Sequence, residues 1–250
     1  MNLKDKVALV TGGARDIGKA VSLKLATQGA NVVVNYHNNR ELGEQTLDEI
    51  RDIGGTAILV KADVTSATDA KVLVDAARRE YGGSIDILVN VAGGIIARKS
   101  LQEMDEEFVE KVLRLNLVST FLMTKRTAPH MPAGSSIINF ASQAGRDGGG
   151  PGAAAYATSK AAVMGFTRAM AKELGPGNIR VNCVCPGMIS TSFHDQFTKD
   201  EVRSGVAAAT PLRREGCAEE VASLVAYLAS RESGFINGDS IDINGGLVFS

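Results

Sequence analysis

Lys6-Val-Ala-Leu-Val-Thr-Gly-Gly-Ala-Arg-Asp-Ile-Gly18 is the stretch on which the fold turns. An unbroken apolar run, Val7 to Val10, leads into a glycine-rich turn, and a helical pattern follows from Lys19. A run apolar at every position suits a strand covered on both faces by helices. Glycines at its end let the backbone approach an anionic pyrophosphate. The next helix adds unpaired N–H groups and the positive end of its dipole. A plain strand-to-helix turn has the same outline, so the rest of the chain must decide.

Downstream the pattern repeats. Strand candidates are Lys6–Thr11, Asn31–Tyr36, Thr56–Lys61, Ile85–Val91, Ser135–Ala141, Ile179–Cys185 and Gly238–Ile243. Between them lie amphipathic stretches, Lys19–Gln28, Glu41–Ile53, Ala67–Tyr81, Asp105–His130, Ala154–Leu174 and Glu219–Ser230. Gly29, Gly54, Gly82 and Gly175 stand where helix C-caps belong. Repeated β-α order implies a parallel sheet with right-handed crossovers. The expectation is an α/β fold: a single doubly wound Rossmann-type domain over residues 1–250, about seven parallel strands flanked by helices on both faces. Gly145–Gly152 reads as a loop, and Thr191–Gly216 as a lid with two short helices.

A net charge of −1 over 250 residues gives no global attraction to nucleic acid or anionic membranes. No apolar window approaches the ~18 residues of a membrane span, and the N-terminus lacks a signal-peptide h-region. A cytoplasmic protein with a small-molecule substrate is expected, with neither nucleic acid nor membrane as partner. Cys183, Cys185 and Cys217 form no disulfide or metal pattern, and the first two read as buried strand thiols.

Near the end of the second strand, an acidic residue would bind the adenosine ribose of NAD. Here the segment is Asn35-Tyr-His-Asn-Asn-Arg40, with Arg15 and Arg40 placed to face a 2′-phosphate. NADP(H) is the expected cofactor, with NAD(H) possible.

Tyr156-Ala-Thr-Ser-Lys160 opens the helix after the glycine-rich loop, and i, i+4 spacing puts phenol and ammonium on one face. Alone, such a pair is mostly accidental. Ser142 raises its weight by ending the preceding strand, in the carboxyl-end crevice where open α/β sheets place ligands. A phenol of pKa ~10 needs nearby positive charge to serve at neutral pH.

Taken in order, Thr11–Gly18, Asn90-Val-Ala-Gly93, Asn116, Ser142, Tyr156-x-x-x-Lys160 and Pro186-Gly187 resemble the motif set of the short-chain dehydrogenase/reductase superfamily. The match runs to Ile241-Asp-Ile-Asn-Gly-Gly246. The resemblance implies an NAD(P)H-dependent carbonyl reductase or alcohol dehydrogenase. Tyr156 would be the acid/base, Ser142 would bond the carbonyl oxygen, and Lys160 would bind ribose and lower the tyrosine pKa. Asn116 would hold a relay water. Gly12, Arg15, Asp16, Ile17 and Gly18 would form the phosphate loop, with Tyr36, Asn38 and Val64 as further cofactor contacts. Asp63 would meet adenine. Asn90, Ala92 and Gly93 would form a backbone wall, and Pro186, Gly187, Ile189 and Thr191 would border the nicotinamide. No metal site is implied, and relatives suggest a homotetramer through the two longest helices.

Three departures stand out: Asp16 at a customary glycine, Val91 at a customary asparagine, and one extra residue between Ser142 and Tyr156. The nearest resemblance is to 3-oxoacyl-acyl carrier protein reductases, but Pro129–Gly134 lacks their basic cluster. Gln143, Arg146 and His194 would then contact substrate and suit a hydroxylated or acidic one such as a keto sugar, with Arg146 pairing a carboxylate. Thr11–Gly18 together with the stretch Ser142–Lys160 also resembles sugar-acid reductases that act on keto-deoxy uronates. The alternatives are the acyl carrier protein reductase and a non-catalytic NAD(P)-sensing protein.

Overall fold

A computed structural model describes residues 1–192 and 197–249. Seven strands form one parallel sheet: β1 (Val7–Thr11), β2 (Asn31–Tyr36), β3 (Thr56–Lys61), β4 (Ile87–Asn90), β5 (Ser136–Phe140), β6 (Arg180–Pro186) and β7 (Ser240–Ile243). Their order is β3-β2-β1-β4-β5-β6-β7. The order reverses between β1 and β4, the switch point where such sheets bind ligands.

Strand side chains alternate between two apolar layers. Ala8, Val10, Val32, Val34, Ile87 and Val89 pack under α1 (Asp16–Thr27), α2 (Arg40–Asp52) and a C-terminal helix spanning Ala218–Ala229. Val7, Leu9, Val33, Leu88 and Ile137 pack under α3 (Ala67–Glu80) and the helices that flank β5. Both faces are therefore dry, which the unbroken apolar strands require. Truncating Leu9 or Leu88, both fully buried, is of the kind that costs about 2–5 kcal/mol.

Three local differences from the sequence pattern bear on the site. α1 begins at Asp16 rather than Lys19, so the phosphate loop itself forms the first helical turn. The stretch after β4 is α4 (Glu106–Leu113), a π-turn at Arg114–Val118, and α5 (Ser119–Thr127), not one regular helix. Within the glycine-rich segment a one-turn helix, α6 (Ala144–Asp147), precedes the loop and the long α7 (Ala154–Leu174). Gly29, Gly54 and Gly82 adopt the positive φ of a C-cap, but Gly175 is helical. Pro176 continues the turn, and Asn178 takes the left-handed position at φ 58°. Within the predicted lid lies α8 (Asp200–Ala209), and α9 (Ala218–Ala229) follows it.

Candidate active site

A cavity of about 850 Å³ opens at the carboxyl ends of the strands. At one end Gly12, Arg15, Asp16, Ile17 and Gly18 line it, together with Tyr36, His37 and Asn38 from the end of β2. These glycines are required by close approach. Gly12 has φ +62°, and a Cβ there would stand 3.2 Å from Ala92 Cα. A Cβ on Gly18 would lie 2.0 Å from the Gly12 carbonyl oxygen. Asn35 Oδ1 accepts from Gly12 N at 3.1 Å and fixes the loop from below.

Asp16 takes φ 50°, which aspartate tolerates better than most residues. Its carboxylate turns to residue 192, accepting from Ser192 N at 2.9 Å and Ser192 Oγ at 2.6 Å. Arg15 lies beside it at 3.8 Å. Its negative charge would repel a phosphate if it faced one; turned to Ser192, it ties the loop after β6 to the phosphate loop.

At the other end the acid/base residues converge. Ser142, Tyr156 and Lys160 all line the cavity. Ala144 N donates to Ser142 Oγ at 3.2 Å, and the Ser142 hydroxyl bonds the Tyr156 phenol. Lys160 Nζ donates to Phe140 O at 2.8 Å and sits 5.8 Å from the Tyr156 ring centre. Burial draws Lys160 down to about 8. Burial also raises the Tyr156 phenol above its ordinary value, opposed by the Ser142 hydrogen bond and the positive charge of Arg98. Desolvation is the largest influence on the ring, as expected for a buried phenol.

Asn116 sits in the π-turn, fully buried. Its Oδ1 accepts from Gly94 N at 2.9 Å, and its Nδ2 donates to Gly94 O and Val112 O. It clips the Gly93–Gly94 wall to the helix. A Cβ on Gly93 would meet Asn116 Oδ1 at 2.6 Å and Lys160 Nζ at 3.0 Å, so all three share one small space.

The residues present fit a nicotinamide dinucleotide. A glycine cradle that any Cβ would fill leads along Ala92 and Gly93 to Pro186, Gly187 and Ile189, ending at Tyr156. A family model described as enoyl-(acyl carrier protein) reductase matches residues 12–248. Hydroxynaphthalene reductase-like protein Arp2 of Metarhizium robertsii is 36% identical, covering 99% of this chain and 96% of that protein. A short-chain dehydrogenase/reductase from Serratia marcescens superposes with a TM-score of 0.93 at 35% identity, covering 99% of both chains. The chain belongs to the short-chain dehydrogenase/reductase family. It is an NAD(P)-dependent oxidoreductase. Among similar structures is a blue fluorescent protein from a metagenomic library in complex with NADPH, with a TM-score of 0.93, 31% identity and full coverage of both chains.

Within this short-chain dehydrogenase/reductase, several expected contacts lie elsewhere. Arg146 does not line the cavity. Its Nε bonds Asp242 Oδ1 at 3.1 Å and its Nη2 donates to Ser240 O at 2.5 Å, so it braces α6 against β7. Arg40 is held by Glu44 at 2.8 Å and is not among the residues that line the cavity. Asn90 is buried beneath the wall, donating to Asn139 Oδ1 at 2.9 Å. Thr191 donates to Ile189 O at 3.1 Å, and Val64 is buried behind the rim. Asp63 accepts from Thr65 N and Oγ1. Burial opposes its ionisation, but those bonds, His37 and Arg114 outweigh it and keep the carboxyl below the usual range. Gln143 is in the cavity wall. His194 lies outside the described residues.

The cavity also takes in Ile95, Arg98, Met188, Val206 and Leu247, which the motifs do not mark. Arg98 has the most chemistry of these. The segment around it has neither helix nor strand period, so nothing in the sequence tells whether it faces the site.

Proposed function

We propose that the protein is an NADP(H)-dependent reductase of a small polar carbonyl compound, such as a keto sugar or keto-deoxy uronate. The convergence of Ser142, Tyr156 and Lys160 on the cavity of the glycine loop carries the reaction class. The nicotinamide nucleotide, when bound, supplies or takes up the hydride. Tyr156 gives its phenolic proton to the carbonyl oxygen, and Ser142, already oriented by Ala144 N, donates to the same oxygen. Lys160 holds positive charge beside the phenol and would hold the ribose of the nucleotide. Asn116 positions the Gly93–Gly94 wall and the space beside the ammonium in which a relay water would sit.

Polar walls support the substrate class. Gln143 keeps its Oε1 buried with no partner among the described residues, an acceptor that a substrate hydroxyl can satisfy. Asp147 and Arg98 line the same side. The segment 191–216 acts as a lid: α8 contributes Val206 to the cavity, and Ser192 anchors its start at Asp16.

The nucleotide end supports NADP(H). Arg15, His37 and Asn38 line it, and no acid occupies the end of β2. A screen of polar keto compounds with both nucleotides tests the assignment. We expect kcat/KM with NADPH to exceed that with NADH by at least about tenfold, and Arg15→Ala to erase most of the difference. A preference for NADH would reject the nucleotide assignment, and turnover of 3-oxoacyl thioesters alone would reject the substrate class.

One observation favours the acyl carrier protein alternative. Lys71, Arg78, Lys125, Arg126 and His130 surround a hollow of about 290 Å³, a basic cluster that the sequence segment before β5 does not reveal. Asp75 lies among them, and the hollow sits near the amino ends of β4 and β5, at the opposite edge of the sheet from Tyr156. A carrier docked there would face away from the site, so the free substrate is the better reading.

A homotetramer is part of the same proposal. Phe121 on α5 is exposed and meets Phe166 on α7 edge-to-face at 6.3 Å, leaving an apolar strip on the two helices. Light scattering should give about four times the chain mass, and a monomer would contradict it.

A further inference from the structure

Arg98 is not one of the motif residues that would bind nucleotide or transfer the proton, yet the backbone around it is built at a cost. Ala97 N donates to Ile95 O at 2.7 Å, closing a three-residue turn with Ile96 at φ 62°. Positive φ is unfavourable for a β-branched residue, and this form of γ-turn is rare and strained. Ile96 is held there by packing with Phe108, Val112, Ala155 and Tyr156. Gly152 leaves room for the arginine. A Cβ on Gly152 would stand 3.0 Å from Arg98 Cβ, and one on Gly150 would stand 3.6 Å from its Nη1.

The guanidinium is oriented but not neutralised. Nε donates to Phe197 O at 3.3 Å and Nη1 to Pro151 O at 3.1 Å, both uncharged acceptors. Among the described residues no carboxylate pairs with it. Asp147, the acid on the same wall, has its oxygens engaged by Gly149 N at 2.8 Å and Gln143 Nε2 at 2.9 Å. Arg98 is also close enough to Tyr156 for its charge to favour the phenolate. A strained turn thus holds a cation, steadied by neutral carbonyls, beside the residues that handle the carbonyl oxygen.

We propose that Arg98 binds an anionic group of the substrate, a carboxylate, and thereby sets the carbonyl against Ser142 and Tyr156. This rests on the polar-carbonyl reading above and narrows it to keto acids. Arginine's planar fork suits the two oxygens of a carboxylate, and the carboxylate supplies the charge that the two backbone carbonyls lack.

The test compares kcat/KM, with NADPH, for a keto-deoxy uronate and for its carboxamide, in wild type, Arg98→Ala and Arg98→Lys. NADPH fluorescence confirms that each variant is folded. Arg98→Ala should cost the acid about 30- to 100-fold more than the amide, chiefly in KM. Arg98→Lys should recover part of that loss, because charge remains and the fork does not. Equal losses on acid and amide would assign Arg98 a structural role and overturn the proposal, as would no loss on either. Both results leave the reductase standing. Wild-type enzyme that reduces neither compound would overturn the polar-carbonyl reading and the Arg98 proposal with it.

Discussion

Tyr156→Phe should lower turnover by at least about a thousandfold while NADPH still binds, because it removes the acid and little else. The ring is packed with Ile96, Phe108 and Ala155, and those contacts survive loss of the hydroxyl. Ser142 remains to polarise the carbonyl, but an aliphatic hydroxyl is too weak an acid to replace the phenol. Single-turnover kinetics and nucleotide fluorescence titration separate the two effects. A rate within about tenfold of wild type would remove Tyr156 from the mechanism.

The second large effect is expected at the other end of the cavity. Gly18→Ala places a methyl 2.0 Å from the Gly12 carbonyl oxygen and 2.9 Å from its carbon, both backbone atoms. No side-chain rotation relieves that contact. Either α1 withdraws or Gly12 moves, and Gly12 is wedged against Ala92. Overpacking of this kind costs about 1–3 kcal/mol, or about 5 °C in Tm for a chain of this size. The displaced amides should cost nucleotide affinity at least about 100-fold. Gly205→Ala is the matched control: it lies in α8, a Cβ there meets nothing within 4 Å, and it should be neutral or slightly stabilising. Equal behaviour of the two variants in a melting curve and an NADPH titration would contradict the role given to the loop.

The sheet was legible because several strands carry near-continuous apolar runs, such as Val7–Val10 and Val32–Val34, with helical patterns between them, as two covered faces require. The glycine loop was legible for a similar reason, since Gly12 and Gly18 stand where no Cβ can. Arginines defeated the same approach. Arg146, in the one-turn α6, and Arg98, in a loop, both lie near motif residues, and sequence says nothing of which turns inward. The folded path answers it: Asp242 on β7 captures Arg146, and the turn at Ile96 sends Arg98 across the cleft. Likewise the π-turn at Asn116 lies within a regular apolar period, unmarked by glycine or proline. The Tyr156 environment was hidden for a different reason. Spacing shows that an ammonium is one helical turn away, but burial, the larger influence on the phenol, depends on every element packed around it.

Transfer of label from the nucleotide tests the central chemistry most directly. Wild-type enzyme given NADPH deuterated at the transferable C4 position and a reducible polar ketone should place deuterium on the new carbinol carbon, with one nucleotide oxidised per alcohol formed. Alcohol without deuterium, or a ketone panel that leaves NADPH unoxidised, would contradict hydride transfer at the Ser142–Tyr156–Lys160 site.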